Sequence, residues 1–194
     1  TNIPLFKVRM YEQAPELVKT VLESGFIGQG KLVDTFESSL SKLFNHPSPI
    51  TINSATSGLI LALRLAIGED KGEILSQPIT CTATNWAILA SGNTIKWVDT
   101  SPDTCNMDLD DLRNKITSKT KAIMVVHWGG NPVDLNKIKE IQDECYKKYG
   151  TRPPVIEDAA HSMCSEYENK KLGSHDNYVV YSLQAIKHLT SGDG

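Results

Sequence analysis

From residue 49 onward, short runs of β-branched and apolar residues alternate with amphipathic stretches, and this alternation limits the possible folds more than any other feature of the chain. Strand-like runs cover 49–54, 73–79, 94–99, 121–127 and 154–158, and a last one, read as buried, opens at Tyr178-Val-Val-Tyr181. Between them, apolar residues at helical spacing fill 55–66, 80–90, 108–116 and 135–149. Strand, helix and strand in succession predict parallel pairing, with helices laid over both faces of the sheet. The expected fold is α/β, a three-layer sandwich around a mainly parallel mixed sheet. In such a sheet the carboxyl ends of the strands share one rim, and ligands settle in the crevice outside it.

Two more amphipathic helices are expected over 12–22 and 32–44, joined by Gly25-Phe-Ile-Gly-Gln-Gly30. That glycine spacing is GxxGxG with no strand before it, so it reads as a turn rather than a dinucleotide loop. Residues 1–48 are thus expected as a helical segment packed on the domain formed by 49–194. Lys plus Arg number 20 against Asp plus Glu 23, a net charge of −3 without any basic block, which argues against nucleic acid or a polybasic membrane patch as partner. Apolar runs fall far short of a bilayer span and no secretion leader is read at the start, so a cytoplasmic location is expected. Cys81, Cys105, Cys145 and Cys164 show neither CxxC spacing nor paired histidines, so reduced thiols and no metal site are expected.

The rim is where the chemistry collects. A strand that turns into a helix through Ser54, Thr56 and Ser57 leaves the first helical N–H groups free at the positive end of the macrodipole, a ready phosphate cup. Ordinary N-capping would need only one of these residues. Asp158 follows three apolar positions and precedes two alanines, so it should be buried at a strand tip and in need of a cation. That cation is either Lys187 or Arg152 in a structural ion pair, or a ligand nitrogen. Lys187 itself stands past a strand exit, where a desolvated amine can attack a carbonyl. Amine, carboxylate and phosphate cup together are the parts of a pyridoxal 5'-phosphate (PLP) site.

Five stretches carry a family resemblance: Ser24-Gly-Phe-Ile-Gly-Gln-Gly30 with Phe36-Glu37, Asn53-Ser-Ala-Thr-Ser-Gly-Leu59, Val126-His-Trp-Gly-Gly-Asn-Pro132, Ile156-Glu-Asp-Ala-Ala-His161 and Ser182-Leu-Gln-Ala-Ile-Lys-His-Leu-Thr-Ser-Gly-Asp-Gly194. They resemble the DegT-type sugar-nucleotide aminotransferases, PLP enzymes of fold type I. The resemblance implies the large PLP-binding domain of that fold, with the C-terminal small domain absent from this chain. It implies Lys187 as Schiff-base lysine and proton shuttle, and Asp158 as partner of the pyridine nitrogen. It also implies His161 near the phenolic oxygen, Thr56, Ser57 and Ser182 on the phosphate, Gln184 on the substrate side, and Phe26 and Ile27 as apolar walls of the substrate entrance. One departure stands out. Where the family places an aromatic ring over the cofactor, this chain has Pro78-Ile-Thr-Cys-Thr-Ala-Thr-Asn-Trp86, which leaves Cys81 or Trp86 as the stacking residue.

The implied reaction moves an amino group from glutamate to a 4-keto or 3-keto sugar nucleotide in a homodimer. Two alternatives keep the fold: a sugar-nucleotide dehydratase, in which histidine replaces the lysine, or a non-catalytic regulatory member. A plain nucleotide-binding α/β domain leaves Asp158 and Lys187 unexplained.

Overall fold

A computed structural model describes residues 2–4 and 6–194; Thr1 and Leu5 of the expected N-terminal segment lie outside the described residues. Helices α1 (Ala14–Glu23) and α2 (Lys31–Phe44) come first, followed by α3 (Ala55–Ile67) and β1 (Glu73–Ser76). The chain continues through α4 (Thr82–Ala90), β2 (Thr94–Trp97), α5 (Leu109–Lys115), β3 (Thr120–Val126) and a 3-10 turn at Trp128–Gly130. Then come α6 (Leu135–Tyr149), β4 (Val155–Asp158), the short strands β5 (Glu166–Tyr167) and β6 (Lys170–Lys171), and β7 (Tyr178–Val180).

The main sheet has the order β2-β1-β3-β4-β7, and each of its pairings is parallel. The order in which strands are added reverses between β1 and β3, because β2 lies outside β1 while later strands add on the other side. That switch point opens a crevice at the strands' carboxyl ends. The antiparallel pair β5–β6 stands apart as a small hairpin.

Parity along each strand builds two cores. Leu75, Ile123, Val125 and Val155 pack with Leu109 and Leu112 of α5 and Ile138 and Ile141 of α6. Their neighbours Ile74, Ala122, Met124 and Ile156 pack on the opposite face with Leu59 and Leu63 of α3 and Ala87 and Ile88 of α4. A sheet covered on both faces needs continuous apolar strands, which is why β3 reads as an unbroken run. Helix starts are fixed by side-chain caps: Ser54 for α3, Asp108 for α5 and Asp134 for α6.

Some expectations need correction. Residues 49–54 form no strand: Pro49 has no N–H, and the N–H and hydroxyl of Thr51 both donate to Glu37 Oε1 at 2.7 Å, so the segment is tied to α2 instead of a ladder. The strand at Tyr178 is a half-buried edge of three residues, not a buried run. No side chain of α1 is buried, whereas α2 is held through Phe44, whose ring stacks on Tyr181 at 4.8 Å. Leu61 and Leu65 of α3 face outward, so only part of that helix's apolar surface lies on the sheet.

One buried ionic cluster ties β3, β4 and the approach to β7 together. The Glu157 carboxylate accepts from Nε2 of His127 at 2.8 Å, Nε2 of His175 at 2.7 Å and Nδ2 of Asn177 at 2.7 Å. His127 Nδ1 accepts the N–H of Val133 at 3.0 Å, which assigns the ring proton to Nε2. Burial drives the Glu157 carboxyl upward, but the hydrogen bonds from His127 and His175 and the charge of His175 outweigh it and hold it down to about 2. Its stabilising contribution is therefore complete above the ordinary 4.5 and disappears as pH falls from there toward 2. Glu157→Leu strands the buried donor of His127 and the half-buried ones of His175 and Asn177, and is expected to cost about 3–5 kcal/mol in denaturant unfolding at neutral pH. Wild-type stability in that variant would contradict the assignment.

Candidate active site

A cavity of about 310 Å³ opens at the switch point, with Ser54 and Thr56 at the start of α3 on one side and Cys81 at the start of α4 on another. Val126 and Asp158, paired in register at the ends of β3 and β4, form its floor, and His161, Ser182, Gln184 and Lys187 close it. Parity explains the floor. Val126 and Asp158 point into the cavity, so the preceding Val125 and Glu157 point to the other face.

Asp158 is 5% exposed, and both of its oxygens are held. Oδ2 accepts the Thr84 hydroxyl at 2.6 Å, and Oδ1 accepts the N–H of Ala160 at 3.0 Å. Since the Thr84 proton goes to the carboxylate, Thr80 must donate to Thr84 across their 2.8 Å contact. Among the described residues no basic side chain forms an ion pair with Asp158, and Arg152 pairs with Asp143 instead.

Lys187 sits on a loop closed at its base. The N–H of Leu183 donates to Gly194 O at 2.8 Å, and that of Ser191 donates to Leu183 O at 2.9 Å. Inside the loop the Lys187 N–H reaches Gln184 O at 2.8 Å, and the Gln184 N–H reaches Ser182 Oγ at 3.3 Å. Its amine has no ion-pair partner among the described residues. His161 feels that amine: burial and Lys187 hold its ring below the ordinary histidine range, against the pull of Asp158, with His188 adding to the effect.

At the start of α3, Ser54 Oγ accepts the N–H of Ser57 at 3.1 Å and lies 3.0 Å from the Ser57 hydroxyl. The N–H groups of Ala55 and Thr56 have no partner within the helix, as helix starts require. A phosphate fits there. The donor set as a whole suits PLP: an unpaired amine, a buried carboxylate lacking a cation, a dipole-positive helix start with hydroxyls, and the apolar walls Leu59, Val126 and Ala160 for a ring.

Of the residues singled out from sequence, the structure brings Lys187, Asp158, His161, Thr56, Ser182 and Gln184 to this cavity. Ser57 stands just behind it in the cap of α3. Trp86 does not line it: that side chain is on the outward face of α4 and 58% exposed, while Cys81 lines the wall. Phe26 and Ile27 are also away from the lining, exposed in the α1–α2 turn, where the Phe26 ring folds back over Gly30. His127, which follows the end of β3, is fully buried behind the rim with Glu157. Sequence reading missed the Thr84 contact to Asp158. The alternating Thr80, Thr82 and Thr84 were a signal, but only the register of α4 selects Thr84.

A model of the DegT/DnrJ/EryC1/StrS aminotransferase family matches residues 9–194. AtS13 from Actinomadura melliaura superposes with a TM-score of 0.96 at 51% identity, covering 99% of this chain and 52% of AtS13. The sugar aminotransferase CalS13 from Micromonospora echinospora gives 0.95 at 45%, covering 100% and 53%. Spr1654 from Streptococcus pneumoniae, solved in a PLP form, gives 0.92 at 30%, covering 100% and 52%. The Escherichia coli GDP-4-keto-6-deoxy-D-mannose-3-dehydratase, at 24% identity, shares the fold alone. The chain spans about half the length of the curated relatives it matches, 48% of one and 45% of another. Cavity, topology and sequence agree, and the chain belongs to the DegT/DnrJ/EryC1/StrS aminotransferase family.

Proposed function

We propose that this chain is the cofactor-binding part of a PLP-dependent aminotransferase that moves an amino group from glutamate to a keto-sugar nucleotide. The observation that carries this reading is the meeting, in one cavity beside a helix start, of an amine, Lys187, and a buried carboxylate, Asp158, neither with an ion-pair partner among the described residues. CalS13, a sugar aminotransferase, and the PLP form of Spr1654 support the choice of chemistry. In this reading residues 49–194 are the cofactor-binding domain, 1–48 are its N-terminal helical segment, and the whole protein works as a homodimer.

When bound, PLP supplies an aldehyde for amine exchange and a ring that accepts electrons. Lys187 would anchor it, and its amine, once freed, would accept and return the proton. Asp158, fixed by Thr84 and the Ala160 N–H, would hold the ring nitrogen in its protonated form. Thr56, Ser57, Ser182 and the free N–H groups of α3 hold the phosphate. His161 would meet the phenolic oxygen; its lowered pKa favours the neutral ring at neutral pH, able to exchange a hydrogen bond without adding charge. Gln184 borders the substrate side. Cys81 rather than Trp86 faces the ring, since only Cys81 lines the cavity.

Two measurements test this. Borohydride reduction of the PLP-loaded whole protein should leave a permanent label whose peptide maps to Lys187. Lys187→Ala should take no label and lose at least about 10²-fold in transfer rate, the usual scale for one positioned acid-base group. An active Ala variant sinks the assignment. Mass spectrometry of products from a panel of keto-sugar nucleotides with glutamate should find an amino sugar and 2-oxoglutarate. Loss of the C3 oxygen without an amino sugar would favour the dehydratase instead.

A further inference from the structure

We propose that Trp128 is a positioning residue for His161, holding that ring toward the cavity from a turn that Asn106 and Gly130 lock in place. The inference rests on the reading of His161 as a group that meets the cofactor. Its basis is that, among the described residues, neither ring nitrogen of His161 has a hydrogen-bond partner in the chain, so packing alone orients the imidazole. The packing partner is Trp128, whose ring meets His161 edge-on at 5.3 Å between centroids and 64° between planes.

The turn carrying Trp128 is built from several directions. The Trp128 N–H donates to Asn106 Oδ1 at 2.9 Å, and Asn106 Nδ2 donates to Asn131 O at 3.0 Å. Asn106 is 5% exposed, so one buried amide clamps both ends of the turn. Just below, His127 anchors the same segment through Glu157 and the Val133 N–H. Gly130 adopts φ +86°, and a Cβ there would stand 2.9 Å from His161 O. Ser165 Oγ then donates to Gly130 O at 2.9 Å. Thus the turn contacts the ring of His161 on one side and its backbone on the other.

A ring left with two free nitrogens but one enforced orientation is arranged for a ligand rather than for the fold. His161 is half-buried and lines the cavity, so water can meet its nitrogens when no ligand does, and a ligand can replace that water. The charged and titratable groups that His161 feels are Lys187 and His188 on the closing loop and Asp158 on β4. Removing Trp128 admits water and frees the ring to turn, so burial and the Lys187 amine lose their hold on its titration.

The test is an NMR titration of the His161 ring without added PLP, in the wild type, Trp128→Ala, Trp128→Leu and Trp128→Phe, with thermal melts alongside. His161 should titrate at higher pH in the Ala and Leu variants and return to the wild-type position in Trp128→Phe, which restores an aromatic edge. If Trp128→Ala does not fold, Trp128→Leu fills the apolar space without that edge and decides the matter. An unchanged His161 titration in either folded variant overturns the proposal. In the loaded whole protein, kcat should fall about two- to tenfold in Trp128→Leu, the scale of one aromatic contact, with KM little changed. A rise in KM alone would also contradict it. Failure of PLP to bind the wild type would sink the cofactor reading yet leave the cofactor-free titration standing, so the two failures can be told apart.

Discussion

At the tip of β4 a carboxylate lies out of water, with two hydrogen bonds and, among the described residues, no cation. Leaving an anion in that state is unfavourable unless a ligand completes it, and the rest of the rim is arranged to let one in. Parallel pairing sends the ends of β1, β3, β4 and β7 to one side of the molecule, and the reversal of strand order between β1 and β3 opens the crevice there. The start of α3 and the closed loop of Lys187 supply the two other charges. Each is placed by backbone hydrogen bonds rather than by contact with the others.

The adjacent carboxylates of β4 show how strand parity divides labour. Glu157, facing the α5 and α6 layer, accepts three side-chain bonds and is held down to about 2; it stitches neighbouring segments together. Asp158, facing the α3 and α4 layer, keeps its outward side open to the cavity. One residue separates a structural anion from a chemical one. The same strand end carries both, so the stabilising cluster sits directly behind the site it supports, and the His127 to Val133 segment extends that support to His161.

Much of this was legible in the sequence, for definite reasons. Period-3.6 patterns marked all six helices, and α3 to α6 each bury a face on the sheet while α1 buries no side chain; β3 was readable because both of its faces are covered. Lys187, Asp158, His161 and Ser182 could be placed because strand ends in a parallel sheet converge, and Thr56 because hydroxyl residues mark the start of α3. What failed was whatever depends on tertiary register. The segment 49–54 looks like a strand until Glu37 captures the Thr51 donors from another helix. His127 follows an apolar run as Asp158 does, yet it lies on the opposite parity from Val126 and so goes behind the rim. Trp86 has the right chemistry for stacking, but its turn of α4 faces away.

The central claim is that Asp158 meets a ring nitrogen and keeps it protonated. PLP labelled with 15N at the pyridine position, bound to the whole protein, reports this directly by NMR. The account expects a protonated-nitrogen shift in the wild type and an unprotonated one in Asp158→Ala. An unprotonated ring nitrogen in the wild type would contradict it.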